Sequence, residues 1–184
     1  MGKRSDFERK PRDFYPTPFA AVEPLIEYLP GHFTFVEPCA GNGVLVDHLE
    51  SNGGICMWAS DIEPQRFERA PPSRYKDIHK NDYLELGENE MIDSEYIITN
   101  PPWDRAILHP MIEHFFKLKP TWLLFDADWM HTKQSIPYLQ HLHKIVSVGR
   151  IKWFGNMTGK DNCAWYLFDA QTPPIMGTFF YGRA

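Results

Sequence analysis

The chemistry in this sequence concentrates first at Asn100-Pro101-Pro102-Trp103, which ends the apolar run "EYIIT" at 95–99. Proline lacks an N–H and fixes φ. Two in a row therefore stop a strand ladder and leave rigid carbonyl oxygens with no competing donor beside them. Asn100 adds a side-chain amide and Trp103 a flat ring. Together they suit a planar amine. The lone pair of an exocyclic amine is delocalised into its ring, so the nitrogen is a weak nucleophile. The Asn100 side-chain oxygen and the Pro101 carbonyl could accept its two N–H groups and draw the lone pair out of conjugation. Pro102 stiffens the turn, and the Trp103 face offers a surface on which an extruded base could stack. The plainer alternative is that the prolines only punctuate a strand end.

A second cluster lies upstream. "FVEPCAGNG" (35–43) reads as a buried strand, an acid, a glycine turn and the start of a helix. This is where a dinucleotide fingerprint would sit, but the spelling is not GxGxxG. Gly41 and Gly43 allow backbone to approach a ligand closely. Glu37 would repel a pyrophosphate and could face a cationic amino group instead. S-adenosylmethionine, with an ammonium and no phosphate, suits that position better than NAD. Asp61 ends the next apolar run, and an acid there can accept hydrogen bonds from both ribose hydroxyls; Glu63 is the reserve. Asp82, in "NDYLEL" (81–86), could accept from an adenine amine or simply cap a turn.

These residues need a frame that brings strand ends together. "TPFAAVEPLIEYL" (17–29) has helical spacing, with Thr17 expected as N-cap and Pro18 at the first helical position. Strands are expected at 33–38, 55–61, 95–99 and 121–128, with a weaker one near 75–78. Helices are expected over 44–53, over 105–118 despite Pro110, and briefly over 135–144. "EPQRFERAPPSRY" reads as an irregular connection with one helical turn. The end holds two strands, "HKIVSVGRIKWF" and "NCAWYLFDA", joined by the turn "GNMTGKD". The alternation predicts an α/β, Rossmann-like, doubly wound and mostly parallel sheet of seven strands, with a C-terminal antiparallel hairpin at one edge.

At 184 residues the chain is long enough for one domain with a real core, and 43% hydrophobic and 15% aromatic residues argue against disorder. No apolar run approaches a membrane span. The charged opening reads as no signal peptide. Cys39, Cys56 and Cys163 fit neither a disulfide framework nor a zinc pattern, so reduced thiols in a cytoplasm are expected. Residues 1–12 hold five basic residues against two acids, a net of +3; with −5 for the chain, the remainder carries −8. That arm could touch phosphates or be a solvated tail. "DAD" (126–128) could bind a metal, but two acids at a strand end more often cap a helix or line the rim, and no metal site is expected. Trp153, Phe154 and Trp165 read as core or pocket wall. Lys160 sits at a turn tip.

With "EPCAGNG" at 37–43, "SDIEP" at 60–64, "NDYLEL" at 81–86 and "NPPW" at 100–103, the chain resembles the class I S-adenosylmethionine-dependent methyltransferases, specifically the DNA adenine-N6 group. The "DFYPTP" at 13–18 looks like that family's upstream element beside the cofactor's methionine end. It implies cofactor contacts at Thr17 and Tyr15, with Phe14 beside them. The matched segments add Pro38, Ala40 and Ile62 to Glu37, Gly41, Gly43, Asp61 and Asp82. "DFYPTP", the compact size and the late "TGKDNCAWYLFD" look like small phage-type members, which implies a host cytoplasm.

The resemblance runs from about 13 to 170, within one catalytic domain over 13–184. Two departures stand out. The chain has no stretch long enough for a separate target-recognition region, and the domain is acidic. Both point to a homodimer or a partner subunit for recognition. NPP[FYW] is shared with enzymes that methylate cytosine N4, guanine N2 in RNA, and protein glutamine. Adenine N6 in DNA is the favoured substrate. A catalytically silent cofactor-binding subunit of a nucleic-acid-binding complex is the alternative from another class.

Overall fold

A computed structural model of the chain describes residues 14–65, 78–91, 93–153 and 162–171. The basic arm, most of the 63–75 connection, Phe154, and the 155–161 turn with Lys160 lie outside the described residues.

The apolar runs become strands because both faces of the sheet are covered. β1 (Phe33–Glu37), β2 (Gly54–Asp61), β3 (His79–Lys80), β4 (Tyr96–Thr99), β5 (Thr121–Asp126), β6 (Leu142–Arg150) and β7 (Asn162–Phe168) form one sheet in the order β3-β2-β1-β4-β5-β7-β6. β1, β2, β3, β4 and β5 pair in parallel, and β7 runs antiparallel to both β5 and β6. The expected C-terminal hairpin is present. It does not simply add to the edge: β7 inserts between β5 and β6, and β6 is the edge strand.

Successive side chains alternate between two cores, as strand geometry requires. Phe35, Ile98, Trp122, Leu124 and Trp165 face α1 (Phe19–Ile26) and α2 (Val44–Glu50). Val36, Ile97, Leu123, Phe125 and Tyr166 face α4 (Arg105–Leu118), whose Leu108, Met111, Ile112, Phe115 and Phe116 form its buried stripe. The short helices α3 (Glu88–Met91) and α5 (Ile136–Leu139) add Met91, Tyr138 and Leu139 to that second core. Trp165 ties the layers together, donating its indole N–H to the Ala21 carbonyl at 2.7 Å.

Strand order reverses between β1 and β4, which lie side by side. Open α/β sheets form their ligand crevice at the carboxyl ends of such a pair. Glu37 ends β1 and Asn100 follows β4 directly, so the fold sets the two sequence clusters at that point.

Local details depart from expectation. α1 begins at Phe19 with Pro18 in the N-cap position and no side-chain cap. Thr17 stands one residue before the N-cap and does not cap the helix, and its hydroxyl takes a bond from Asn100. The third strand is two residues long and starts at His79, beyond the expected 75–78. The helix expected over 135–144 keeps only Ile136–Leu139, because β6 begins at Leu142.

Candidate active site

The glycine turn is built by bonds to the end of β2. Asp61 accepts the Gly41 N–H on Oδ2 at 2.8 Å and the Glu63 N–H on Oδ1 at 2.7 Å. Ala40 N–H donates to the Ser60 carbonyl, Gln65 N–H to the Gly41 carbonyl, and Gly43 N–H to the Ala40 carbonyl. Gly41 and Gly43 have φ of 53° and 73°, a region that favours glycine. A Cβ on Gly41 would stand 2.8 Å from the Phe14 ring, so Phe14 packs directly onto the turn. Asp61 therefore shapes the turn before any ligand arrives, and each of its oxygens keeps a lone pair for a further donor.

One cleft of about 490 Å³ follows this geometry. Of the residues singled out from sequence, Tyr15, Thr17, Glu37, Pro38, Ala40, Gly41, Asp61, Ile62, Asp82, Asn100 and Pro102 line it, as does Phe14. Gly43 stands behind, as the N-cap of α2. Pro101 and Trp103 are not among its lining residues: Pro101 is buried, and Trp103 is half-buried and packs against both cores. Asp82 caps a 3-10 turn over Tyr83–Glu85, accepting the Leu84 N–H at 3.1 Å.

Ile107 and Met111 also line the cleft. Their spacing on α4 puts them on one helix face, but nothing in that spacing says which end of the face meets the crevice. Leu84 is another unforeseen member. It is 61% exposed, and with exposed Ile62 and Ile107 it gives the cleft an open apolar rim.

The charge is one-sided. Glu37, Asp61, Glu63 and Asp82 line the cleft, and its lining contains no lysine, arginine or histidine among the described residues. Glu37 is 1% exposed, and its Oε2 is buried with no hydrogen-bond partner among the described residues. Desolvation holds its carboxyl well above the ordinary value, and repulsion from Asp61 and Asp47 adds to that, against the Val46 N–H. The Cys39 thiol, also on the cleft, is likewise pushed up by burial and by Asp61, so it stays protonated and is no nucleophile.

At the β4 end the groups are neutral. Asn100 Nδ2 donates to Thr17 Oγ1 at 3.1 Å, and Asn100 Oδ1 accepts from Trp103 Nε1 at 3.2 Å. The same indole N–H reaches the Leu124 carbonyl at 3.2 Å. The Trp103 ring lies edge-to-face with Trp153, centroids 5.9 Å apart, and Trp153 in turn meets Tyr15 at 6.4 Å. Trp153 meets Tyr15 without lining the cleft itself and packs on the core, and Trp165 is core. In the "DAD" stretch Asp126 acts as a cap, accepting from the Asp128 N–H at 3.0 Å, and approaches Arg105 at 3.8 Å.

No protein-family model and no curated protein sequence matches the chain. Solved structures do. A protein of Pyrococcus horikoshii assigned as an RNA methyltransferase superimposes with a TM-score of 0.63 at 14% identity, over 96% of this chain and 92% of that one. A type I restriction-modification methyltransferase subunit of Streptococcus thermophilus gives 0.58 at 10%, over 94% of this chain and 46% of that subunit. Magnesium protoporphyrin IX methyltransferase of Synechocystis PCC 6803, solved with bound S-adenosylmethionine, gives 0.52 at 15%, over 82% and 79%. At these identities the likeness is one of architecture, and it is consistent across the three: this chain has the Rossmann-like fold of the S-adenosylmethionine-dependent methyltransferases.

Proposed function

We propose that the protein is an S-adenosylmethionine-dependent methyltransferase acting on an exocyclic amine, with adenine N6 in DNA as the favoured substrate. The supporting observation is a juxtaposition in one cleft. A buried carboxyl oxygen with no hydrogen-bond partner among the described residues ends β1, and an amide acceptor backed by two prolines follows β4.

The cleft fits this cofactor on its own chemistry. An acid-lined pocket without basic side chains disfavours a pyrophosphate, and the Gly41 and Gly43 N–H groups that might cradle one are already bonded inward. The orphaned Glu37 oxygen wants a cation. Glu37 would meet the ammonium, Asp61 the ribose hydroxyls and Asp82 an adenine amine, with Ile62, Leu84 and Ile107 against the ring; Tyr15, Thr17, Pro38 and Ala40 complete the wall. When bound, S-adenosylmethionine would supply an electrophilic methyl group on a good sulfonium leaving group.

The chain's own residues handle the amine. Asn100 Oδ1 and the Pro101 carbonyl accept its two N–H groups, so nitrogen gains tetrahedral character and its lone pair is freed. Pro102 keeps that backbone rigid. Trp103 supplies a ring for stacking. No strong base is needed, because the proton leaves after nitrogen has become cationic.

A restriction-modification methyltransferase subunit among the structural neighbours favours nucleic acid as substrate and a partner subunit for recognition. The Pyrococcus horikoshii neighbour keeps RNA as the second substrate class. The test is incubation with methyl-labelled S-adenosylmethionine and DNA, RNA or protein in parallel, followed by mass analysis of digested nucleosides and peptides. N6-methyladenine in DNA is expected. Label in none of the three would overturn the enzymatic proposal and leave the silent cofactor-binding subunit.

A further inference from the structure

Asn100 is gripped at both ends of its amide, by Thr17 and by Trp103. The two grips differ in kind. A threonine hydroxyl can donate or accept, so Thr17 holds the amide plane without choosing its direction. An indole nitrogen only donates. Turned over, the amide would set its NH2 against the Trp103 N–H, donor to donor. The indole itself cannot yield easily, since its N–H also reaches the carbonyl of Leu124 in the fully buried part of β5 and its ring packs against both cores.

We propose that Trp103 and Thr17 are positioning residues for the Asn100 amide, Thr17 holding its plane and Trp103 fixing its polarity, so that oxygen rather than NH2 meets the amine to be methylated. This rests on the role given to Asn100 above. The chemistry makes polarity decisive. An amide oxygen holding one N–H keeps a second lone pair, which can take a substrate N–H. A reversed amide would confront the amine's N–H groups with donors and would bind the very lone pair that must attack. Phenylalanine or tyrosine could offer a stacking face at position 103, but neither carries an indole N–H. Tryptophan does both, and the two roles can be separated.

The experiment measures steady-state methyl transfer to the amine substrate identified in the labelling test. Trp103→Phe keeps a flat ring and loses the donor. Its kcat is expected to fall by roughly one to two orders of magnitude, the scale of a misoriented reacting group, with both KM values nearly unchanged. In an Asn100→Ala background the same change should cost nothing more, because Trp103 acts through Asn100. Thr17→Val should lower kcat less, and Thr17→Ser should restore it.

Several results would overturn the proposal. With Asn100→Ala impaired, a Trp103→Phe enzyme at wild-type kcat removes the polarity role and leaves Asn100 in place. An equal Trp103→Phe loss with and without Asn100 assigns the effect to ring packing. An Asn100→Ala enzyme as active as wild type, or a wild type that methylates no amine, ends the role of Asn100 and this proposal together. Should thermal melts show Trp103→Phe unfolded, the Thr17 pair decides: loss rescued by serine supports the lock, and an unchanged kcat in Thr17→Val overturns it.

Discussion

At the ends of β1 and β2 the cleft is made of charge. Asp61 holds two backbone N–H groups, and Glu37 shares the cleft with an oxygen that has no hydrogen-bond partner among the described residues. At the end of β4 it is made of neutral dipoles, where an amide is held by a hydroxyl and an indole. The first side has a deficit that a cation would fill. The second has both ends of its amide already held, keeps one lone pair open on the oxygen, and offers direction instead of charge. A site that must hold a cationic cofactor and a neutral, planar amine needs this division. Mixed, the cofactor's cation would compete for the acceptors that the amine's N–H groups need.

The sharpest way to break this comparison is Asn100→Ala. It should cut methyl transfer by about two to three orders of magnitude, as loss of one preorganised polar group at a reacting centre does. S-adenosylhomocysteine affinity by calorimetry should stay as in wild type, since the charged side is untouched. A large loss of that affinity would show that the two sides are not separate.

Asp61→Ala attacks the other side and should be smaller. Cofactor affinity is expected to weaken by about 1.5–3 kcal/mol, the scale of hydrogen bonds to a charged group. The glycine turn also loses its anchor, so the thermal midpoint should fall even without ligand. Weaker binding with an unchanged midpoint would mean that the Gly41 N–H finds another acceptor at no cost.

Glu37→Gln gives the smallest effect, visible through pH. The folded protein holds the Glu37 proton more tightly than the unfolded chain does, because its carboxyl is raised above the ordinary 4.5. Its contribution to stability is therefore complete below that value and is lost as pH rises through the raised one. Thermal midpoints of the unliganded protein should decline over that window, and Glu37→Gln should flatten the decline. A cationic ligand favours the ionised acid, so binding should release a proton in wild type and not in the variant. An identical slope in both proteins would place the titration elsewhere.

Much of the frame was legible in sequence because it depends on local pattern. The apolar runs of β1, β2, β4 and β5 and the α4 stripe ending at Leu118 follow from burial on two faces. What escaped depends on distant partners. Thr17 has every local mark of an N-cap, yet its hydroxyl is taken by a residue 83 positions away. His79–Lys80 is too short to show a period. Asp61 and Asp82 were legible as acids at the cleft, but not as groups already holding backbone N–H donors. The Trp103 ring suggested a stacking face, and only the fold shows its N–H turned toward Asn100.

The insertion of β7 between β5 and β6 bears on how the chain is made. Thr121–Asp126 has one neighbour, β4, that emerges early from a ribosome, while the other arrives only with Asn162–Phe168. Until then β5 has an unpaired, strongly apolar edge, and β6 has no strand to join it. Closing that gap joins residues some forty positions apart, and such loop-closure entropy slows late pairing. The last of the described strands to be synthesised thus fills a gap inside the sheet. Nascent chains stalled before Asn162 are expected to depend on chaperones and to aggregate once released, whereas chains extended past Phe168 should become protease-resistant in a single step.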